Sequence, residues 1–247
     1  MMITSQRILK AAGKHFSRSM LAARAALGAH KDWHCPACRH DVAGFFRYGA
    51  EREWGCIRCG ASPRERLMHA LLDAGLITIP DGAAILHCAP NEGSLVQRFY
   101  AGAGDYVPAD IDPDRYGVPG MQQLDLMSMS DEARFDRVYA SHVMEHVPDD
   151  AVVLRNVLRA LKPGGEAWLL VPLWEKPSED GPRDLSGRER ERRFGQWDHV
   201  RQYGRDFAER IRAAGFEIEI IDAAALPADQ VRRMALADTL FRARRPA

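Results

Sequence analysis

From about residue 63 the chain alternates between apolar positions at helical spacing and short continuous apolar runs. Residues 64–76 (RERLMHALLDAGL) and 93–103 (GSLVQRFYAGA) predict helices. So do 149–165 (DDAVVLRNVLRALKPGG), ended by Pro-Gly-Gly, and 203–216 (YGRDFAERIRAAGF). Between them, 83–89 (AAILHCA), 105–111 (DYVPADI), 135–143 (FDRVYASHV), 166–173 (EAWLLVPL), 217–223 (EIEIIDA) and 238–244 (DTLFRAR) predict strands. Such alternation implies an α/β fold: a parallel sheet covered on both faces, with ligands at the carboxyl ends of its strands. The pattern fails over 175–200, a charged stretch that is either a lid over the site or a solvated loop.

The first 62 residues follow another pattern. Leu9, Ala12, Phe16 and Met20 recur at helical spacing among Arg7, Lys10, Lys14, Arg18 and Arg24, with no acid before Asp32. Residues 1–30 therefore predict a basic amphipathic helix packed on the body of the protein, although an organelle transit peptide shares these traits. Residues 31–62 form a separate small module, and 63–247 the main domain.

Composition changes this picture little. Lys and Arg number 34, as do Asp and Glu, so net charge gives no global drive towards nucleic acid or anionic membrane. No apolar run approaches the ~18 residues a bilayer requires, and the N-terminus lacks the apolar core of a secretory signal. A cytoplasmic protein with no membrane segment is expected.

The cysteines change it more. Cys35 and Cys38 form one C-x-x-C pair, Cys56 and Cys59 a second, at the separation of four-cysteine zinc sites. The intervening FFRYG…REWG can fold as a hairpin that joins the two knuckles. Four thiolates fill a tetrahedral site, so the zinc expected here is structural and replaces a core that so short a segment cannot build. Two redox or disulfide pairs are the competing reading. His34 and His40 flank the first knuckle as solvated neighbours, or as substitutes for a cysteine.

Several motifs then follow in order: ILHCAPNEGSLVQRF, YVPADIDP, LDLMSM, FDRVYASHVMEHVPDD, LRALKPGGEAWLLVP and DHVRQYGRDFAERIRAAGFEIE. Over roughly residues 80–247 this series resembles the class I S-adenosylmethionine-dependent methyltransferases, most specifically between Phe135 and Pro172. The resemblance implies a Rossmann-like seven-stranded sheet and places S-adenosylmethionine against His87, Ala89, Glu92, Gly93, Asp110, Ile111, Asp125, Leu126 and Ser141. Small residues after the first strand let backbone N–H groups approach the cofactor. Here His87 stands where an acid is usual, Ala89 and Asn91 replace two glycines, and only Gly93 remains. Asp110 can accept from the ribose hydroxyls, and Asp125 from the adenine amine. Each aspartate read alone is equally a turn residue or helix cap.

His142-Val-Met-Glu145-His146 also fits the H-x-x-E-H pattern of zinc peptidases. The following Pro148-Asp149-Asp150 interrupts any helix, which disfavours that reading. In a methyltransferase the same residues face the acceptor. A further resemblance, to small-RNA terminal 2′-O-methyltransferases, implies a second divalent metal on His142, Glu145, His146 and His199 that lowers an acceptor hydroxyl's pKa. Without metal, His146 or His199 acts as general base, or His146 merely holds the turn. Arg201 either binds an anionic group on the acceptor or pairs with Asp198 or Asp206, and Tyr203 continues the same pattern. Trp174 and Trp197 either cover an apolar acceptor or pack on the loop. The expected reaction is methyl transfer to an oxygen or nitrogen of a small molecule. RNA gripped by the module's basic and aromatic residues, and a cofactor-binding scaffold without turnover, are the alternatives.

Overall fold

The computed structural model describes residues 5–247, and side chains from residue 11 onward. Residues 1–4, and the side chains of Arg7, Leu9 and Lys10 from the predicted amphipathic helix, lie outside the described residues. The chain divides into two compact units. Unit 1 comprises residues 1–78 and 223–238, unit 2 residues 79–222 and 239–247, so the boundary expected at residue 62 falls inside unit 1.

Unit 1 opens with helix α1 (Ser5–Ala26). The expected apolar stripe does not pack inward: Phe16 is 69% and Met20 50% exposed. The packed side instead carries Lys14 and Arg18 over aromatic rings, Ser17 against the Arg47 amide, and Leu21 against Gly44. Strands β1 (Trp33–Cys35) and β2 (His40–Val42) pair antiparallel around the first C-x-x-C. The predicted hairpin is β3 (Phe45–Tyr48) with β4 (Glu51–Cys56), turned at Gly49, whose φ of 59° suits glycine. Helix α2 (Pro63–Asp73) begins at a capping box of Ser62 and Glu65. Arg66 on α2 is fully buried and gives all five N–H donors to carbonyls: Glu53, Trp54, Ala61, Met234 and Ala235. Its guanidinium also lies 3.9 Å from the Phe45 ring centroid.

In unit 2 the chain runs β5 (Ala84–Cys88), α3 (Gly93–Gly102), β6 (Asp105–Asp110), β7 (Gln122–Gln123), β8 (Phe135–Ser141), α4 (Asp150–Ala160) and β9 (Leu161–Leu170). There follow β10 (Glu179–Asp180), α5 (Gly187–Phe194), β11 (Arg201–Gln202), α6 (Phe207–Ala213) and β12 (Glu217–Asp222). A last helix, α7 (Ala228–Met234), belongs to unit 1, and β13 (Thr239–Arg244) returns to unit 2. The sheet has seven strands in the order β12-β13-β9-β8-β5-β6-β7. It is not wholly parallel as expected, because β13 runs antiparallel to both its neighbours. Nor does 149–165 stay helical to its Pro-Gly-Gly: Leu161 is already extended and opens β9, since Pro163 disfavours helix at the residue before it. The stretch 175–200 is more regular than its charge pattern predicts. It contains β10 and α5, and the S-x-x-E capping box at Ser186 and Glu189 was the signal for that helix.

The core of unit 2 fills the space between sheet and helices with Leu86, Val138, Leu154, Leu169, Phe207 and Phe241, all fully buried. Register aligns Cys88 with both Ala109 and Ala140, and Ser141 with Leu170. The carboxyl ends of β5, β6, β8 and β9 therefore lie side by side along one rim.

Candidate functional site

Two chemically distinct sites emerge, one in each unit. In unit 1, Cys35 Sγ lies 3.7 Å from Cys59 Sγ, and Cys38 Sγ 4.0 Å from Cys56 Sγ. Zinc–sulfur bonds of about 2.3 Å in a tetrahedron separate sulfurs by about 3.8 Å, so the donor set fits a zinc ion. Hydrogen bonding to its neighbouring thiols and burial push Cys35 up, while the same contacts push Cys56 down to about 2. Without a cation the four cannot ionise together. His34 turns to Asp41 at 2.8 Å and His40 to the Cys38 carbonyl, so neither replaces a cysteine.

In unit 2 the rim begins with the turn after β5. His87 is wholly buried, with Nδ1 2.9 Å from the Tyr106 hydroxyl and its ring edge-on to Phe99 and Tyr139. Its Nε2 stands 3.7 Å from Glu92, which is itself 1% exposed. Both residues of the expected cofactor set therefore lie beneath the loop and shape it. Ala89 adopts φ +49°, the left-handed conformation its motif usually reserves for glycine. The backbone at Gly93 is open, because a Cβ built there meets nothing within 4 Å. Asp110 ends β6 with one carboxylate oxygen accepting the Asp112 amide, and Ile111 beside it is 62% exposed. Asp125 is exposed and accepts the Met127 amide, and Leu126 is buried below it. Ser141 closes the rim with a buried hydroxyl that has no hydrogen-bond partner in the structure. An open backbone turn, a carboxylate at the neighbouring strand end and an exposed apolar side chain fit the methionine, ribose and adenine parts of S-adenosylmethionine.

The segment after Ser141 is a turn, not a helix. His142 takes φ +56° and donates its amide to the Leu170 carbonyl, while Asp149 caps α4 only later. The peptidase helix is thus absent. Glu145 is 1% exposed, and its carbonyl accepts the Val200 amide, which ties the turn to the loop before β11 that bears His199. Donor atoms of Glu145, His146 and His199 all lie within 4.8 Å of one another. His142 stands aside from this trio, its Nδ1 3.5 Å from Glu145. The His146 and His199 rings meet edge-to-face at 4.7 Å. His199 donates Nδ1–H to the Phe194 carbonyl at 3.0 Å, which leaves its Nε2 lone pair free, and His146 Nδ1 lies 3.5 Å from Asp198. Burial lowers the pKa of both imidazoles, so both are neutral at pH 7.

Arg201 and Tyr203 are held in the interior. Arg201 is buried and donates to the carbonyls of Met144, Val147 and Pro148 and to Asp180. Tyr203 donates to Asp150 at 2.8 Å, and Arg210 joins Asp150 to Asp180. Neither predicted pairing of Arg201, with Asp198 or Asp206, forms: Asp180 and Asp150 take those places. Sequence reading gave no site role to Asp150, Asp180 and Arg210, which lie far apart in the chain and meet only in the fold. Trp174 bonds the Pro177 carbonyl within its loop, and Trp197 is 52% exposed.

A methyltransferase domain description matches residues 63–224. Solved structures similar to this chain include one from the complex between the Haloferax volcanii Trm112 methyltransferase activator and a methyltransferase, at TM-score 0.53 and 16% identity, covering 73% of this chain and 88% of that one. A Mesorhizobium loti S-adenosylmethionine-dependent methyltransferase has TM-score 0.51 and 19% identity, covering 70% and 95%. The [4+2]-cyclase SpnF has TM-score 0.52 and 16% identity, covering 99% and 97%. At these identities the likeness extends to the fold alone. No curated protein sequence matches the chain.

Proposed function

The chain belongs to the methyltransferase domain family, and on that premise we propose that it methylates an oxygen or nitrogen of a small molecule in the cytoplasm, with S-adenosylmethionine as donor. The observation that carries this reading is the single rim that holds the open Gly93 turn, Asp110 and the Glu145–His146–His199 trio. S-adenosylmethionine, when bound, supplies a methyl group on an electrophilic sulfonium and leaves as S-adenosylhomocysteine. The fold contributes alignment. Asp110 holds the ribose, and the 89–93 turn offers backbone N–H groups. His199 accepts the acceptor's proton at Nε2, with its ring fixed by the Phe194 carbonyl.

A second reading follows from the three donors within 4.8 Å: Glu145, His146 and His199 together hold a divalent cation that acidifies the acceptor. In unit 1 the four thiolates hold a structural zinc. No described helix is long and apolar enough to cross a membrane.

The test is calorimetry with S-adenosylhomocysteine, then its release from S-adenosylmethionine across a panel of hydroxyl and amine metabolites. Wild type is expected to bind, and Asp110→Ala to bind at least tenfold more weakly, roughly the loss of a charged hydrogen bond. His199→Gln retains binding but loses turnover. Absence of binding by wild type at millimolar ligand refutes the reading. Cobalt titration of zinc-replete protein, with the four thiolates already occupied, separates the two versions, since only the metal version then gives a further saturable visible absorption that Glu145→Gln removes.

A further inference from the structure

Unit 1 holds a cavity of about 560 Å³ that the methyltransferase reading does not use. Its apolar lining includes Trp33 and Phe45, whose rings meet edge-to-face at 5.6 Å. Arg24 and Arg52 line the same cavity, as do the acidic residues Asp32 and Glu53. No hydrogen bond or ion pair among the described residues engages the side chains of Arg24 or Arg52. Along α1, Lys14, Arg18 and Arg24 span about 15 Å of helix, and the sequence has no acid before Asp32. Lys14 and Arg18 are held over Phe46, Tyr48 and Trp54 at 5.3 to 6.0 Å, which fixes the cations in place. The neutral whole conceals a strong local excess: unit 1 carries fourteen Lys and Arg against eight Asp and Glu.

We infer that this cavity is a binding site for single-stranded nucleic acid, taking one unstacked base against Trp33 while flanking phosphates meet Arg24, Arg52 and the cations of α1. An aromatic-floored recess beside a cationic track is what an unpaired base and its backbone require. The two carboxylates suit the donor edge of the base, since amino and imino N–H groups need acceptors. A duplex cannot present a base face to a recess of this kind. An anionic lipid surface would need no aromatic recess and would engage Phe16 and Met20, which are exposed on α1 about two turns and one turn before Arg24, so vesicle binding is one of the outcomes that overturn the inference. The site belongs to unit 1 alone and does not depend on the acceptor assigned to unit 2.

The test is fluorescence anisotropy with a short labelled single-stranded RNA and the full-length protein, with zinc content and S-adenosylhomocysteine binding measured on every sample. Saturable binding at low salt is expected, weakening as salt rises. The log–log slope should fall by about 1.4 in Arg24→Ala/Arg52→Ala, since each lost phosphate contact removes about 0.7. Trp33→Leu should weaken binding about tenfold with the slope unchanged, and Trp33→Phe should recover most of it. The inference is overturned by no saturable binding at low salt, or by equal affinity for duplex RNA, heparin or phosphatidylserine vesicles. Unchanged affinity of a zinc-replete Trp33→Leu also overturns it. Intact S-adenosylhomocysteine binding in those samples would show that the methyltransferase reading survives such a result.

Discussion

At Ala89 the backbone holds φ +49°, a conformation that costs an L-residue about 1 kcal/mol relative to glycine. Its amide donates to the Ala109 carbonyl at 2.8 Å and its carbonyl accepts from Asn91, so the surrounding turn enforces the strain. Ala89→Gly is therefore expected to leave the fold unchanged and to raise the urea midpoint, equivalent to several tenths of a kcal/mol after the unfolded-state entropy of glycine is deducted. The two site histidines carry a second residue-level expectation. With folded pKa values lowered by burial, His146 and His199 should titrate by NMR below 6.5 in chelated protein. Stability associated with their neutral forms is present above 6.5 and is lost as pH falls through the lowered values. The place of Asp110 at the end of β6 was legible in the order of motifs, and the closeness of His199 to Glu145 and His146 in the second resemblance. His87 and Glu92 were marked too, yet they face each other in the interior, since a buried imidazole between Tyr106 and Glu92 depends on contacts that spacing along the chain does not encode.

At the scale of elements, the short strands β10 and β11 matter more than their two-residue lengths suggest. They bring Asp180 beside Arg201, whose guanidinium binds three carbonyls of the turn that bears Glu145 and His146. Arg201→Met should destabilise unit 2 by roughly 1–3 kcal/mol, because it leaves the carbonyls of Met144, Val147 and Pro148 without their donor while Asp150 keeps Arg210 and Tyr203, and calorimetric melting would register the loss. Burial pushes the Asp180 carboxyl up, but Arg210 and Arg201 outweigh it and hold the pKa below the ordinary value. The stability difference between wild type and Asp180→Asn should accordingly be full at pH 5 and shrink as pH falls below about 3.8. These elements escaped the hydrophobic pattern because they are polar and two residues long. The long strands β5, β8 and β9 were plain, since strands buried on both faces read as apolar runs. Helix α5, highly charged, was announced only by its cap.

At the scale of the molecule, charge and metal separate the two units. The neutral total resolves into an excess of basic residues in unit 1 and of acidic residues, twenty-six against twenty basic, in unit 2. Metal removal should act on unit 1 first. Thiol titration with a zinc indicator is expected to release one zinc per chain, and Cys56→Ser should abolish that release while S-adenosylhomocysteine still binds unit 2. Loss of the fold of unit 1 on chelation is expected because the cluster around Cys35, Val42, Phe45, Cys56 and Ala61 is small.

Unit 1 is built from two stretches of chain separated by residues 79–222, and this order has a consequence for synthesis. Arg66 is translated well before two of its five acceptors, the carbonyls of Met234 and Ala235, which follow it by 168 and 169 residues. The four cysteines at 35, 38, 56 and 59 can meet before residues 79–222 have been made. Arg66 stays hydrated until residues 234 and 235 have emerged. A chain terminated at residue 222 would withhold α7 from one unit and β13 from the other, leaving a metal-loaded product with neither unit finished.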